Sequence, residues 1–267
     1  MQLSCSSPMV PGETLLAKAA VLRDWGYDAI SVFWPHDQWN EAVHEELRTL
    51  KDRVGIAPCE FVFMSPAYGR LMDPDPQLRA ACREMYRQAA EVCAELGLVT
   101  ELEFQYGAQD PPPLFDPYQQ LTSEQSGAFS AVYSDLADVL TGSGGLALLE
   151  PLNRYESRYL NSVDDCLRVL AAVDHAQAGL LFDFFHVSIE EPSITDAIRR
   201  AGSRIKHVHL ADNNRLPPGR GNIDWASCFA SLRDVGFDGF VNLECAAGGD
   251  PAQTLPEAAR FLRTLMA

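Results

Sequence analysis

Three carboxylates and one imidazole, Glu150, Asp183, His209 and Glu244, each close an apolar run: LALLE, GLLFD, IKHVH and GFVNLE. The intervals between them are 33, 26 and 35 residues. Each interval has room for one helix and a return strand. In a (β/α)₈ barrel four such strand ends meet at one mouth, the face where the catalytic groups of these barrels collect. Carboxylate and imidazole donors gathered there suit a hard or borderline divalent cation.

Further reactive residues follow each of these ends. In LLEPLNRYESRYLNS, Glu156 lies six residues after Glu150, beside Asn153 and Arg154. That grouping fits a site better than core packing, with a salt-bridge network as the plainer alternative. Asp183 follows Leu-Leu-Phe and is costly to bury unless paired or metal-bound; capping the next helix is its plainer role. His186 stands three residues on. In KHVHLADNNRLPPGRGNIDW, His207 and His209 are two apart and share one face of a strand, with His209 nearer the mouth. Asp212, Arg215 and Arg220 then lie in a loop held by Pro217, Pro218 and Gly219. An arginine there offers a fork of donors to substrate oxygens, and Arg220 reads as a surface residue more readily than Arg215. Gly248-Gly249 has no adjacent Lys or Arg and reads as a flexible loop rather than a phosphate turn. Trp34 and Trp39 flank Pro35-His36-Asp37, where they either stack on a sugar or simply pack. His44 and His175 read as surface residues.

The elements that would position these groups alternate along the whole chain. Strand candidates are Leu3–Ser6, Ala29–Phe33, Gly55–Phe63, Thr100–Tyr106, Leu146–Leu149, Gly179–Phe182, Ile205–Leu210 and Gly239–Leu243. Apolar residues at 3–4 spacing predict helices over Glu13–Trp25, Glu41–Lys51, Pro76–Leu96, Ser123–Leu140, Ser162–Val173, Ser193–Arg200, Trp225–Val235 and Leu255–Leu265. Ser162 and Asp224 stand where helix N-caps belong. Eight such repeats with continuous apolar strands favour a single closed parallel (β/α)₈ TIM barrel over residues 1–267. A doubly wound sheet would usually carry a glycine-rich phosphate loop after its first strand; SCSSPMVPGE stands there instead. The Pro-rich stretch Gly107–Gln120 reads as a semi-rigid lid or a mere connection.

Composition narrows the function classes. The 267 residues are 47% apolar and carry a formal net charge of −16. That charge opposes binding to nucleic acid, whose phosphates need a Lys/Arg surface, and to an anionic membrane. Seven cysteines with no CxxC spacing predict a reduced, cytoplasmic chain. The N-terminus lacks a signal-peptide pattern, and no apolar run reaches membrane-helix length.

The order E-x₂-NRYE, D-x₂-H, HxHxAD-x₂-R-x₂-PG and a strand-final Glu resembles the xylose-isomerase-like sugar (phosphate) isomerase/epimerase superfamily. Its D-tagatose/D-psicose (allulose) 3-epimerase branch is the most similar. The diagnostic motifs fall between about residues 150 and 245, and the first half matches less clearly. The resemblance implies one divalent ion, Mn²⁺ first with Co²⁺, Mg²⁺ or Zn²⁺ as alternatives, held by Glu150, Asp183, His209 and Glu244. It implies substrate contacts from Glu156, His186 and Arg215, and proton transfer by Glu150 and Glu244 on opposite faces of a sugar. The implied activity is a ketose 3-epimerase. The same groups would serve a 1,2-aldose–ketose isomerase, including a hydroxypyruvate- or inosose-type one, or a lyase or dehydratase on a keto-sugar. An endonuclease of the same barrel type would need more histidine ligands and a basic surface. The implied partners are a small sugar or sugar-like substrate, with a homodimer or homotetramer compatible with the fold.

Overall fold

The computed structural model describes residues 1–115 and 119–266. In chain order the elements are β1 (Gln2–Ser6), α1 (Leu15–Asp24), β2 (Ala29–Pro35), α2 (Glu41–Val54), β3 (Ala57–Met64) and α3 (Pro76–Leu96). Then come β4 (Val99–Leu102), α4 (Ser123–Val139), β5 (Leu146–Leu149), α5 (Val163–Val173), β6 (Ala178–Asp183) and α6 (Phe184–Glu190). The chain ends with α7 (Ile194–Ala201), β7 (Ile205–Leu210), α8 (Trp225–Asp234), β8 (Phe240–Leu243) and α9 (Pro251–Met266). The eight strands pair in parallel and in sequence order, and β8 pairs back onto β1. The sheet is therefore a closed barrel with no free edge.

Short strands and capped helices make this ring. Thr14, Asn40, Asp75, Thr122, Ser162, Ser193 and Asp224 each accept a bond from an orphan amide of the helix that follows. Gly97 ends α3 in the left-handed region at φ +69°, which a side chain would resist. Leu22, Leu50, Phe129, Leu170, Phe229 and Leu262 are fully or almost fully buried where the helices pack on the barrel. Burial of this apolar layer is the main force holding helices to sheet. The barrel interior is more polar. Ser4 Oγ donates to Asn242 Oδ1 at 3.3 Å, and Asn242 Nδ2 donates to Ser6 Oγ at 2.9 Å. All seven cysteines are unpaired, and six of them are buried. Among the described residues no helix is long and apolar enough to cross a membrane.

Three elements differ most from the sequence reading. β4 ends at Leu102, not Tyr106. There the chain leaves the sheet, Tyr106 N donates to Gly69 O at 3.2 Å, and Glu103 turns to Tyr68 and Tyr86. The helix α6 follows β6 without a loop, because Asp183 itself caps it. The last helix begins at Pro251, where Asp250 Oδ1 accepts from Ala252 N at 3.0 Å, and it carries Pro256 within its span. His44 and His175 are half-buried at the surface, their side chains 14% and 21% exposed against the exposed Glu95 and Asp138 of neighbouring helices. Of the expected lid Gly107–Gln120, residues 116–118 lie outside the described residues.

Candidate active site

The mouth of the barrel is floored by one imidazole. His209 on β7 is fully buried. Its Nε2 lies 3.1 Å from both oxygens of Glu60 on β3, also fully buried. A carboxylate only accepts, so this contact puts a proton on Nε2 and makes Nδ1 the atom that is free to lose its proton to a cation. Nδ1 faces Glu244 Oε2 at 3.1 Å and Glu150 Oε1 at 3.8 Å. Among the described residues neither contact has good hydrogen-bond geometry, so this buried atom is held by charge alone. Without a cation the neighbouring carboxylates favour a second proton on Nδ1, directed at Glu244. A divalent cation would take that proton's place and use the lone pair.

The other donors stand close by. Potential ligand atoms fall within 4.8 Å of one another in four overlapping groups: Asp183, His209 and Glu244; Glu101, Glu150 and His209; Glu150, Asp183 and His186; and Glu60, His207 and His209. The four predicted ligands are thus brought together, and Glu101 of β4 joins them. Burial, followed by repulsion from Glu101, raises Glu150 well above the ordinary carboxylate range. Burial acts the same way on Asp183 but is outweighed by the Arg215 guanidinium, with His186 and His209 adding to it, and the carboxyl is held at about 2. Burial also works against the charge on His209, but Glu60 first and Glu244 next raise its pKa well above the usual value. Buried oxygen and imidazole donors with an excess of negative charge are the set a divalent cation takes. On this chemistry Glu150, Asp183, His209 and Glu244 fit the expected ion.

Asp183 has two tasks. Its Oδ1 accepts from Phe185 N and His186 N at 2.6 and 3.1 Å, capping α6. Its Oδ2 accepts from Arg215 NH1 at 2.7 Å. The plainer reading of this aspartate and the functional one therefore both describe it, oxygen by oxygen. Arg215 NH2 reaches Glu244 Oε2 at 2.7 Å, and the guanidinium lies 4.8 Å from the centre of the Phe185 ring. Arg215 itself is held at φ +57°, an uncommon conformation for a side-chain-bearing residue. Buried Asp212 sustains it by accepting from Gly219 N, Ile223 N and Trp225 Nε1 at 2.9 to 3.1 Å. Arg220 lies outside the site and pairs with Glu257 on the surface at 3.0 Å.

Asn153 orients two further groups. Its Nδ2 donates to His186 Nδ1 at 2.7 Å and to Glu156 Oε1 at 2.8 Å, and its backbone N donates to His186 Nδ1 at 3.2 Å. His186 Nδ1 is thereby an acceptor, so Nε2 carries the proton and faces Glu150 Oε1 at 3.9 Å. Burial lowers the His186 pKa, which keeps the ring neutral and able to donate from Nε2. The loop carrying Asn153 and Glu156 is tied to α6 by Arg154. Arg154 N and Nε donate to Glu190 Oε1 at 2.7 and 2.9 Å, and NH2 donates to Oε2 at 2.8 Å. The Glu190 side chain is fully buried. Arg154→Ala would leave that charge without its main partner, so a stability loss of roughly 3 kcal/mol is expected by urea unfolding. Activity should fall with it, as Glu156 and His186 lose their common brace.

Sequence reasoning missed Glu60, Glu101, Glu103 and Tyr68. Tyr68 donates toward both Glu101 and Glu103, and all three are buried. Burial, followed by repulsion from Glu103, raises Glu101 well above the ordinary range, and burial raises Glu103 to about 7 against the bonds from Tyr68 and Tyr86. The signal was present: APCEFVF and ELEF are apolar strand ends interrupted by carboxylates, costly there unless paired. Trp39 turns out to be packing, its ring 4.9 Å from Phe61 and 5.3 Å from Phe63. The cavity enclosed by Tyr68, Glu103, Glu150, Glu156, His186 and Glu244 measures about 210 Å³.

The closed eight-stranded parallel barrel, with helices between its strands and acidic and histidine side chains at its mouth, is a TIM barrel. The chain belongs to the xylose isomerase-like TIM barrel family, whose profile matches residues 19–265. It is 38% identical over 96 residues to the D-psicose 3-epimerase of Enterocloster bolteae, a stretch covering 36% of this chain and 32% of that one. It is 35% identical over 130 residues to the 3-dehydro-D-guloside 4-epimerase of Escherichia coli, covering 48% of this chain and 50% of that one. The matched stretches thus span half or less of these relatives. The crystal structure of 3-keto-D-glucoside 4-epimerase from E. coli superposes with a TM-score of 0.84 at 24% identity, over 99% of each chain. At that identity the likeness speaks for the fold.

Proposed function

We propose that the chain is a divalent-metal-dependent epimerase of neutral keto-sugars, with a ketose 3-epimerase as its leading form. The gathering of buried His209 with the carboxylates of Glu150, Asp183 and Glu244 at the barrel mouth carries this reading. The epimerase names of the relatives support it. A bound cation would supply positive charge where an enediolate develops.

The chain's own groups account for the rest. Glu150 and Glu244 leave β5 and β8, three strands apart around the ring, and so approach a sugar from different sides. One removes the proton from the carbon beside the carbonyl, and the other returns a proton to the opposite face. Burial makes Glu150 a stronger base than an exposed carboxylate. His186 Nε2–H and the Arg215 fork donate to the oxygens that gain charge. Glu156, held by Asn153, accepts from a hydroxyl. Glu101, Glu103, Glu150, Glu156 and Glu244 line the cavity with Arg215 and His186. This acidic lining disfavours a phosphate ester.

The test is proton exchange in D₂O, with Mn²⁺-loaded protein and D-fructose, D-psicose or D-tagatose, followed by NMR. Metal-dependent label at C3, with the C3 epimer appearing, is the expected result. Label at C1 with an aldose product would replace the epimerase by an isomerase. Loss of a hydroxyl would replace it by a dehydratase.

A further inference from the structure

The groups that meet the reacting carbons come from one half of the barrel. Glu150, Glu156, His186, Arg215 and Glu244 all follow strands β5 to β8. The rest of a sugar held between Glu150 and Glu244 must lie against the other half, built on β1 to β4 and the segments after them. There Pro8, Phe33 and Met64 offer apolar surface. The polar groups of that half are Tyr68, Glu101, Glu103 and Tyr106. None of these four has a task in the proton transfer.

Two of the four have hydrogen-bonding capacity left over. Both oxygens of Glu103 are taken, Oε1 by the Tyr68 phenol and Oε2 by that of Tyr86. Glu101 is only 3% exposed, and its Oε1 also takes the Tyr68 phenol. Its Oε2 accepts from nothing among the described residues. A buried carboxylate oxygen without a donor is costly, and the cavity it lines is where a ligand would supply one. The second group is the Tyr106 phenol, which also has no hydrogen-bond partner among the described residues. Burial, with Glu156 and then Glu103 nearby, pushes this phenol up to about 12, so it keeps its proton as a donor. The ring is fixed in place. It meets Tyr68 edge-on at 5.3 Å, and a Cβ at Gly69, which holds φ +65°, would collide with it. Glu101 accepts and Tyr106 donates, which are the two partners a sugar hydroxyl uses.

We propose that Glu101 and Tyr106 recognise a hydroxyl on the part of the sugar beyond the reacting carbon, with Tyr68 and Glu103 as the positioning residues of Glu101. The assignment rests on the epimerase reading, because the hold of Glu150 and Glu244 on the reacting carbon turns the rest of the sugar toward β4. A sugar lacking that hydroxyl leaves the Glu101 oxygen desolvated and without a donor, so the site selects against it. The rival role for Glu101 is a fifth ligand of the cation, since it falls within 4.8 Å of Glu150 and His209. Glu101→Leu separates the two: it keeps the bulk of the side chain, removes the acceptor and leaves Tyr68 its bond to Glu103.

The experiment compares D-fructose with 4-, 5- and 6-deoxy-D-fructose on Mn²⁺-loaded wild type, Glu101→Leu and Tyr106→Phe, with kcat/KM read from proton exchange. On the wild type one deoxy sugar should be about 10- to 100-fold poorer than D-fructose, the value of a hydrogen bond to a charged group. In Glu101→Leu that ratio should fall below about threefold. Tyr106→Phe loses a single oxygen and keeps its ring, so it decides the matter if Glu101→Leu does not fold; it should shrink the same ratio by about three- to tenfold. A ratio near one for all three deoxy sugars on the wild type, or a ratio that neither variant changes, overturns the proposal. Mn²⁺ titration of Glu101→Leu gives a readout apart from activity. Affinity within about threefold of wild type is expected; a loss as large as that of Glu150→Gln makes Glu101 a ligand and overturns its role toward the sugar. If the wild type exchanges no proton with any ketose, the epimerase reading falls. Calorimetric binding of the same four sugars then decides the hydroxyl contact, and equal affinities or no binding overturn it.

Discussion

Glu244→Gln is expected to abolish measurable exchange of the substrate's α-proton, a loss on the order of 10²- to 10⁴-fold in kcat. The substitution keeps the shape of the side chain and its acceptor oxygen for Arg215, which now reaches Oε2 at 2.7 Å. It removes the ability to take a proton. Glu244 is also the carboxylate nearest the His209 lone pair, at 3.1 Å, so a weaker hold on metal should accompany the change. Metal content must therefore be measured on the same sample. A Glu244→Gln variant that holds Mn²⁺ yet exchanges protons at both faces of the sugar would remove Glu244 from the chemistry. Glu150→Gln should fall as far, and the two together should cost little more than either alone, because the reaction needs both carboxylates at once.

The barrel was legible because each strand end carries its own marker. Ile205–Leu210 and Leu146–Leu149 stand in the structure at the bounds the sequence predicts, since apolar runs there stop at a polar or charged residue. Closure then brings Glu150, Asp183, His209 and Glu244 together without any local signal linking them. What stayed hidden was of two kinds. The helix α6 starts at Phe184 directly after β6, so its first apolar residues read as a continuation of the strand, and seven residues give too few turns for a helical period to emerge from FFHVSIE. The second kind is pairing across the barrel. Glu60 meets His209 across 149 positions, and Tyr68 meets Glu103 across 35. Each looked like an ordinary strand or loop residue, because the partner that makes its burial tolerable is far away in sequence. A buried carboxylate needs a partner at Glu60, within APCEFVF, as much as at Asp183, and that requirement alone would have singled it out.

Glu60→Gln is expected to weaken Mn²⁺ binding by about 10- to 100-fold while leaving all four proposed ligands in place. The reason is the state of His209. Glu60 receives Nε2–H at 3.1 Å on both oxygens, and this fixes the Nδ1 lone pair toward Glu150 and Glu244. Its negative charge also makes that lone pair a better donor. Glutamine offers one neutral oxygen and one NH₂, so the ring can bond either way and the tautomer is no longer dictated. His207 adds to the effect, with Nε2 3.5 Å from Glu60 and neither ring nitrogen hydrogen-bonded elsewhere. One carboxylate thus serves two buried imidazoles, and its loss frees both. Titration with Mn²⁺ reads the affinity directly, and kcat at saturating metal separates positioning from chemistry. Lower affinity with kcat largely retained at saturating metal is the expected pattern. Unchanged affinity would mean that barrel packing alone orients His209, and that Glu60 is there to satisfy His207.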